Sequence, residues 1–282
     1  MKYTVENNGV KLTADTLGAE LVELQVDGKE KLWQNETGAW AGHAPLLFPI
    51  CGRRTIVKDG KHYQTGLHSF ARKTEFALLE QGKDYLVFIL SSNEQTRKEY
   101  PYEFCLKVRY QIIDCGVESS YIVENTGKEA MYFSCGSHES FALDSDVDGY
   151  EIEFEKAENL INLLHDDIGK LTGETMDYGR AKKLALPKDY LQEGRTLIFG
   201  DIASKQVKLN KITGETVAVF TFEYCNNLLV WRADGRSNYI CIEPWGTLPE
   251  TVGKTEELSS IKNIIKVTNG ETKRISRKIE YR

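Results

Sequence analysis

Paired turn residues punctuate this chain at short intervals, and their spacing restricts the fold more than any other feature. Asn8-Gly9, Asp27-Gly28, Asn125-Thr126-Gly127, Ala233-Asp234-Gly235 and Asn269-Gly270 each separate runs rich in β-branched and aromatic residues. Asn-Gly and Asp-Gly suit tight hairpins because both central residues must take positive φ. Between the turns, apolar residues alternate in Tyr3-Val5, Val10-Leu12-Ala14, Leu86-Phe88-Leu90, Leu106-Val108-Tyr110-Ile112 and Ile275-Ile279. That period of two marks strands with one buried face.

Helical periodicity is confined to two short stretches, Glu94 to Tyr100, which Pro101 would stop, and Glu250 to Ser259. A parallel α/β fold is therefore disfavoured. The polar stretch from His165 to Arg195 holds Gly169, Gly173, Gly179 and Pro187 without clear periodicity, and is expected to be a long excursion bordering a binding site. No linker or low-complexity tract divides the sequence, so residues 1–282 are expected to form one all-β domain. About fifteen or more strands in one unit imply two large packed antiparallel sheets, since an open sheet of that size would curl or split.

The 42 acidic and 36 basic residues give a net charge of -6 and are scattered along the chain, which argues against a nucleic-acid partner. The basic run Lys273, Arg274, Arg277 and Lys278, interleaved with Ile275 and Ile279, reads as the wet face of a strand. The N-terminus lacks the apolar core of a signal peptide, and no apolar run approaches the roughly 18 residues of a membrane span, so a cytoplasmic protein without a membrane partner is expected. Six cysteines without CxxC pairing fit reduced, buried thiols. A homodimer is left open.

Four segments could carry chemistry. In His43-Ala44-Pro45-Leu46-Leu47-Phe48-Pro49-Ile50-Cys51-Gly52-Arg53-Arg54, an apolar run between prolines delivers two arginines whose planar donors suit hydroxyls or a phosphate; Arg54 reads equally as a surface residue. In Gly66-Leu67-His68-Ser69-Phe70-Ala71-Arg72, His68 and Arg72 bracket an apolar Phe70 and can address one ligand. In Ser134-Cys135-Gly136-Ser137-His138-Glu139-Ser140-Phe141, small neighbours open the backbone around His138, the better placed histidine for proton transfer. Glu139 reads either as the partner of His138 or, more readily, as a solvated neighbour.

The fourth segment, Tyr239-Ile240-Cys241-Ile242-Glu243-Pro244-Trp245-Gly246, is an apolar strand expected to stop at Pro244. A carboxylate at its end is costly to desolvate, so Glu243 is a site candidate. Trp245 reads equally as a stacking platform for a sugar face or as core, and Trp231, Phe70 and Tyr239 are left open as further rings able to stack. The histidines show neither His-x-His nor HExxH spacing, and no glycine-rich phosphate loop precedes a helix, so no metal and no cofactor are expected.

Taken in order, these segments resemble the aldose 1-epimerase (galactose mutarotase-like) family, in its shorter bacterial branch with Leu-Phe-Pro-x-x-Gly-Arg and His-Gly-Phe-Ala-Arg motifs. The resemblance implies a β-supersandwich that binds sugar on the concave face of a large sheet. It also implies Glu243 as base and His138 as acid in the interconversion of α and β anomers, with His68, Arg53 and Arg72 on the sugar hydroxyls. The chain departs from the family pattern at Ser69, where glycine is usual, and at Glu139, where proline is common after the histidine. A further sugar-binding carboxylate has no clear counterpart near Gly194-Arg195-Thr196-Leu197, and Asp201 is not assigned to it. Two rival functions remain within the resemblance: a hexose-6-phosphate 1-epimerase using Arg53, Arg54 and Arg72, and a non-catalytic sugar-binding protein.

Overall fold

The computed structural model describes all 282 residues. Its 23 strands are antiparallel throughout the named ladders, and hairpins form at Asn8-Gly9, Asp27-Gly28 and Ala233-Asp234-Gly235, whereas Asn125-Thr126-Gly127 and Asn269-Gly270 join strands that pair with other partners. Asn8 and Gly9 take φ of 49° and 77°, and Asp27 and Gly28 take 51° and 72°, the double positive φ that these pairs tolerate. Asn8-Gly9 joins Lys2–Asn7 to Val10–Asp15 and Asp27-Gly28 joins Leu21–Val26 to Lys29–Glu30, within a four-stranded meander. The meander packs on the main sheet, where the Tyr110 hydroxyl donates to the Ala19 carbonyl at 2.7 Å.

The main sheet contains 15 strands. Its path runs through Leu46–Leu47, Gly136–Ser137, Tyr239–Trp245, Asn227–Trp231, Leu197–Phe199 and Tyr150–His165. It continues through Gln206–Lys211, Thr216–Phe222, Thr272–Tyr281, Gly116–Asn125, Phe104–Ile113, Tyr85–Ser91 and Ala77–Gln81. Glu139–Ala142 also pairs with Tyr239–Trp245, and Leu171–Ala185 with Tyr150–His165. Strands far apart on this path face each other: Phe141, beside Tyr239–Trp245, lies 6.0 Å from Phe220 and 6.1 Å from Tyr281, ring centre to ring centre, both on strands near the middle of the path. The two layers of the sandwich are thus halves of one curled ladder, enclosing a core of 61 buried residues.

Several local expectations are corrected. Much of the predicted His165–Arg195 excursion is the strand Leu171–Ala185, followed by a short helix at Lys188–Leu191. Only residues 166–170 form the tip of this hairpin, and three register shifts bend it. The Glu250–Ser259 helix is replaced by a single 3₁₀ turn at Leu258–Ser260, whereas Glu94–Glu99 is helical, capped by Asn93. Arg277 is not on a wet face: it shares the inner face with Ile275 and Ile279 and is 2% exposed.

The strand Tyr239–Trp245 also continues past Pro244, with Trp245 paired to Asn227 on one side and to Gly136 on the other. On the second side the ladder is interrupted at His138, between Gly136–Ser137 and Glu139–Ala142. Proline's missing donor falls beside that gap. All six cysteines are free thiols. No helix is long and apolar enough to cross a membrane.

Candidate active site

The site grows out of strand parity. Tyr239–Trp245 is buried on both faces, but its alternate residues enter different surroundings. Ile240 and Ile242 join the main core, while Tyr239 and Cys241 pack with Trp33 and Trp245 joins a separate small cluster. Glu243 shares the face of Cys241 and Trp245. The pairs Gly136–Trp245 and Glu139–Ile242 hold one register across the gap, which sets His138 directly opposite Glu243. Such cross-strand neighbours approach closely. Here His138 Nε2 lies 3.4 Å from Glu243 Oε1, with both side chains buried.

Glycine at 136 is required by this packing, because a Cβ there would stand 2.7 Å from Cys51 Sγ and 2.9 Å from Trp245 Cδ1. The parity that aims His138 at Glu243 turns Glu139 the other way. Glu139 is therefore not solvated: it is 4% exposed and faces the buried Arg277, whose charge partly offsets the upward push of burial on its pKa.

Loops complete a cavity of about 490 Å³, within the size range of small-ligand sites. Glu243, His138, His68, Arg53, Arg72 and Trp245 all line it. His68 is wedged between two rings, 5.7 Å from His138 and 5.1 Å from Trp245. Its backbone N–H donates to the Gly52 carbonyl at 2.7 Å, and its Nδ1 accepts from the Gly52 N–H at 3.0 Å. That second bond leaves the neutral ring's proton on Nε2. His68 and Ser69 both take left-handed φ, 60° and 58°, to make this turn. A glycine is the natural occupant of such a position, and Ser69 fills it with its Oγ buried and unpaired.

The arginines divide. The Arg53 Nε donates to the Ile168 carbonyl at 3.0 Å, and the half-buried Arg72 has its Nε unpaired; neither makes a carboxylate ion pair. Arg54 lies outside the cavity, where it is buried against the Leu248 carbonyl at 3.2 Å and Glu256 at 3.4 Å. Asp201 is also outside, paired with Lys262 at 2.8 Å.

The sequence reading assigned no role to Trp40, His165, Asp167 or Thr196, which also line the cavity, and named Trp231 only as one of several rings able to stack. Trp40 stacks on His138 at 4.8 Å and on Tyr239 at 5.9 Å, and Tyr239 stacks on Trp33 at 4.6 Å. The Trp33 indole donates to the Trp40 carbonyl at 2.9 Å, fixing the loop that carries it. No spacing in the sequence marks this row of rings, which is assembled from distant segments. His165 and Asp167 belong to the hairpin end that the sequence reading left as loop.

Burial sets the electrostatics. It is the first cause holding the His138 imidazole down at about 3, with the Arg72 charge as the second. His68 is held well below the usual histidine range first by burial, then by its coupling to His138, and then by the Arg72, Arg53 and Lys73 charges. Burial likewise pushes Glu243 well above the carboxylate range, with Glu139 adding to the rise and Trp245 and Arg72 opposing it. The favoured pair in the dry site is protonated Glu243 beside neutral His138, and one proton moved across 3.4 Å makes it a carboxylate and an imidazolium. A buried donor and acceptor that exchange one proton are suited to acid–base chemistry.

The aldose 1-epimerase family model matches residues 1–260 of this chain. The chain belongs to the aldose 1-epimerase family. Among relatives of this family member, the LacX proteins of Lactococcus lactis are 28% identical over 296 residues, with 98% of each chain covered. A galactose mutarotase related enzyme from Lactobacillus acidophilus is 26% identical, covers 100% of this chain and 97% of its own, and superposes with a TM-score of 0.87. A galactose mutarotase-like protein from Lactobacillus casei, 24% identical with complete coverage of both chains, has the same fold at a TM-score of 0.91. The epimerase family and its galactose mutarotase-like fold are thus the ones the motifs resembled.

Proposed function

We propose that this protein is an aldose 1-epimerase that interconverts the α and β anomers of a hexose, with Glu243 as general base and His138 as general acid. The observation that carries this reading is the 3.4 Å approach of His138 Nε2 to Glu243 Oε1 on the wall of a sugar-sized cavity. Glu243 takes the proton of the anomeric hydroxyl while His138 protonates the ring oxygen. The bond from C1 to the ring oxygen breaks, the C1–C2 bond turns, and closure on the other face returns both protons. Passing one proton from Glu243 to His138 readies the pair; the Arg72 charge favours the carboxylate so formed and opposes the imidazolium.

His68 offers its Nε2 proton to a hydroxyl, Arg53 and Arg72 offer guanidinium donors, and the Trp40, Trp231 and Trp245 rings offer apolar walls for the sugar's C–H faces. Residues 1–282 act as one unit around their shared core. The free thiols favour a reducing, cytoplasmic setting.

Anomer exchange followed by polarimetry or NMR tests the assignment. Glu243→Gln and His138→Asn should each lower kcat by about 10²–10⁴, the usual worth of a positioned acid or base. Near wild-type rates in either variant would refute it.

A second reading, a hexose-6-phosphate 1-epimerase, draws support from Arg53 and Arg72, two cavity cations without carboxylate partners. A panel of free and 6-phosphorylated hexoses separates the two, since a preference in kcat/KM for the phosphorylated sugars selects the second. Calorimetric sugar binding without accelerated exchange would instead identify a non-catalytic binding protein.

A further inference from the structure

Cys241 stands two residues before Glu243 on the same face of the same strand, and its thiol is fully buried. Its Sγ, a nitrogen of His138 and a carboxylate oxygen of Glu243 all lie within 4.8 Å of one another. Packing with Trp33 and Tyr239 accounts for a small apolar residue at this place, but not for a sulfur beside an imidazole and a carboxylate. We propose that His138, Cys241 and Glu243 form a three-ligand site for one thiophilic divalent cation of the zinc type, whose occupancy blocks the proposed acid–base pair.

Geometry supports the donor set. Two ligands about 2.1 Å from zinc and 3.4 Å apart subtend roughly 110° at the metal, close to the tetrahedral angle. Sulfur about 2.3 Å from the same ion would sit about 3.6 Å from the other two donors, so Cys241 Sγ closes by up to roughly 1 Å through rotation about its Cα–Cβ bond. The His138 and Glu243 side chains also line the cavity, which leaves the fourth tetrahedral position for a water or a sugar hydroxyl. Imidazole, thiolate and carboxylate together suit zinc better than calcium or magnesium, which prefer oxygen ligands. As the metal–sulfur bond forms, the thiol proton leaves to solvent, and Glu243 binds as the carboxylate after losing any proton it holds.

This site and the proposed epimerase activity can fail separately, because metal binding is read without turnover. Cobalt(II) added to the full-length protein should bind at one per chain and give a sulfur-to-cobalt charge-transfer band. Cys241→Ala and Cys241→Ser, each checked for folding by circular dichroism, should both abolish the band. Both should weaken zinc binding in calorimetry by at least about tenfold, since even second-shell losses cost 10–100-fold. Glu243→Gln should weaken zinc while retaining the cobalt–sulfur band. No band in the wild type, or a band that survives Cys241→Ala and so arises at another of the six cysteines, overturns the site. In an active preparation, zinc should inhibit anomer exchange and a chelator should restore it; full activity at saturating zinc would show that the metal does not occupy these three side chains.

Discussion

The neutrality of His138 can be tested through stability alone. Its imidazole titrates at about 3 in the folded chain against 6.5 for the free side chain. A depressed folded value means that the unfolded chain takes up a proton that the native chain refuses. The stability contribution is present in full above pH 6.5 and is lost as pH falls from there towards 3. At 1.36 kcal/mol per unit, the loss from this one residue is about 1.4 kcal/mol by pH 5.5 and about 2.7 kcal/mol by pH 4.5.

Urea unfolding of the wild type and of His138→Asn at pH 7.0, 5.5 and 4.5 isolates it. The carboxylates titrate in both proteins, and His68, held well below the usual histidine range first by burial, stays neutral over this pH range in both. Because His138 is neutral in the native chain, its removal takes no charge from Glu243. The variant should be less acid-sensitive by roughly the amounts above, whatever its stability at pH 7. Parallel losses in the two proteins would refute the burial argument and leave His138 charged in the empty site.

Three further outcomes follow from the packing. Ser69→Gly should raise stability by about 0.5–1 kcal/mol, because relief of a left-handed backbone outweighs the freedom glycine gains when unfolded, while Ser69→Ala, which keeps the Cβ, should bring no such gain; a urea midpoint reads both. Arg53→Ala should raise KM for sugar with little change in unfolding, whereas Arg54→Ala, whose guanidinium holds the Leu248 carbonyl, should lower stability by about 1–3 kcal/mol with KM little altered. Arg277→Leu should destabilise by about 1–3 kcal/mol by removing the buried donor to Tyr121 Oη and the charge that offsets the burial of Glu139, and adding Glu139→Gln should recover part of that loss.

What could be read from the sequence was what obeys a local rule. Asn8-Gly9 and Asp27-Gly28 report their turns because few other residues accept two successive positive φ values. Phe104–Ile113 reports its strand because burial alternates along its length. Leu171–Ala185 breaks that rule: most of its residues are exposed, so its pairing with Tyr150–His165 leaves no apolar period to detect. The stacked row of Trp33, Tyr239, Trp40 and His138 was illegible for a different reason, since its members meet only when the sheet curls and the loop holding Trp40 folds over it.

Parity marks the boundary between what was read correctly and what was not. Arg277 lies two residues from Ile275 and two from Ile279, so a period of two already places it on their buried face; counting it with Lys278 as surface ignored that period. The same rule applied at 138 and 139 changes how the departure from proline is understood. Consecutive residues on extended backbone face opposite ways, so the position that carries His138 to Glu243 must send its successor into the core. Glu139 therefore alters the interior beside Arg277 and reaches the cavity through its field, as a further upward push on Glu243. Its effect on chemistry should accordingly appear as a displaced pH profile for Glu243 rather than as a blocked site.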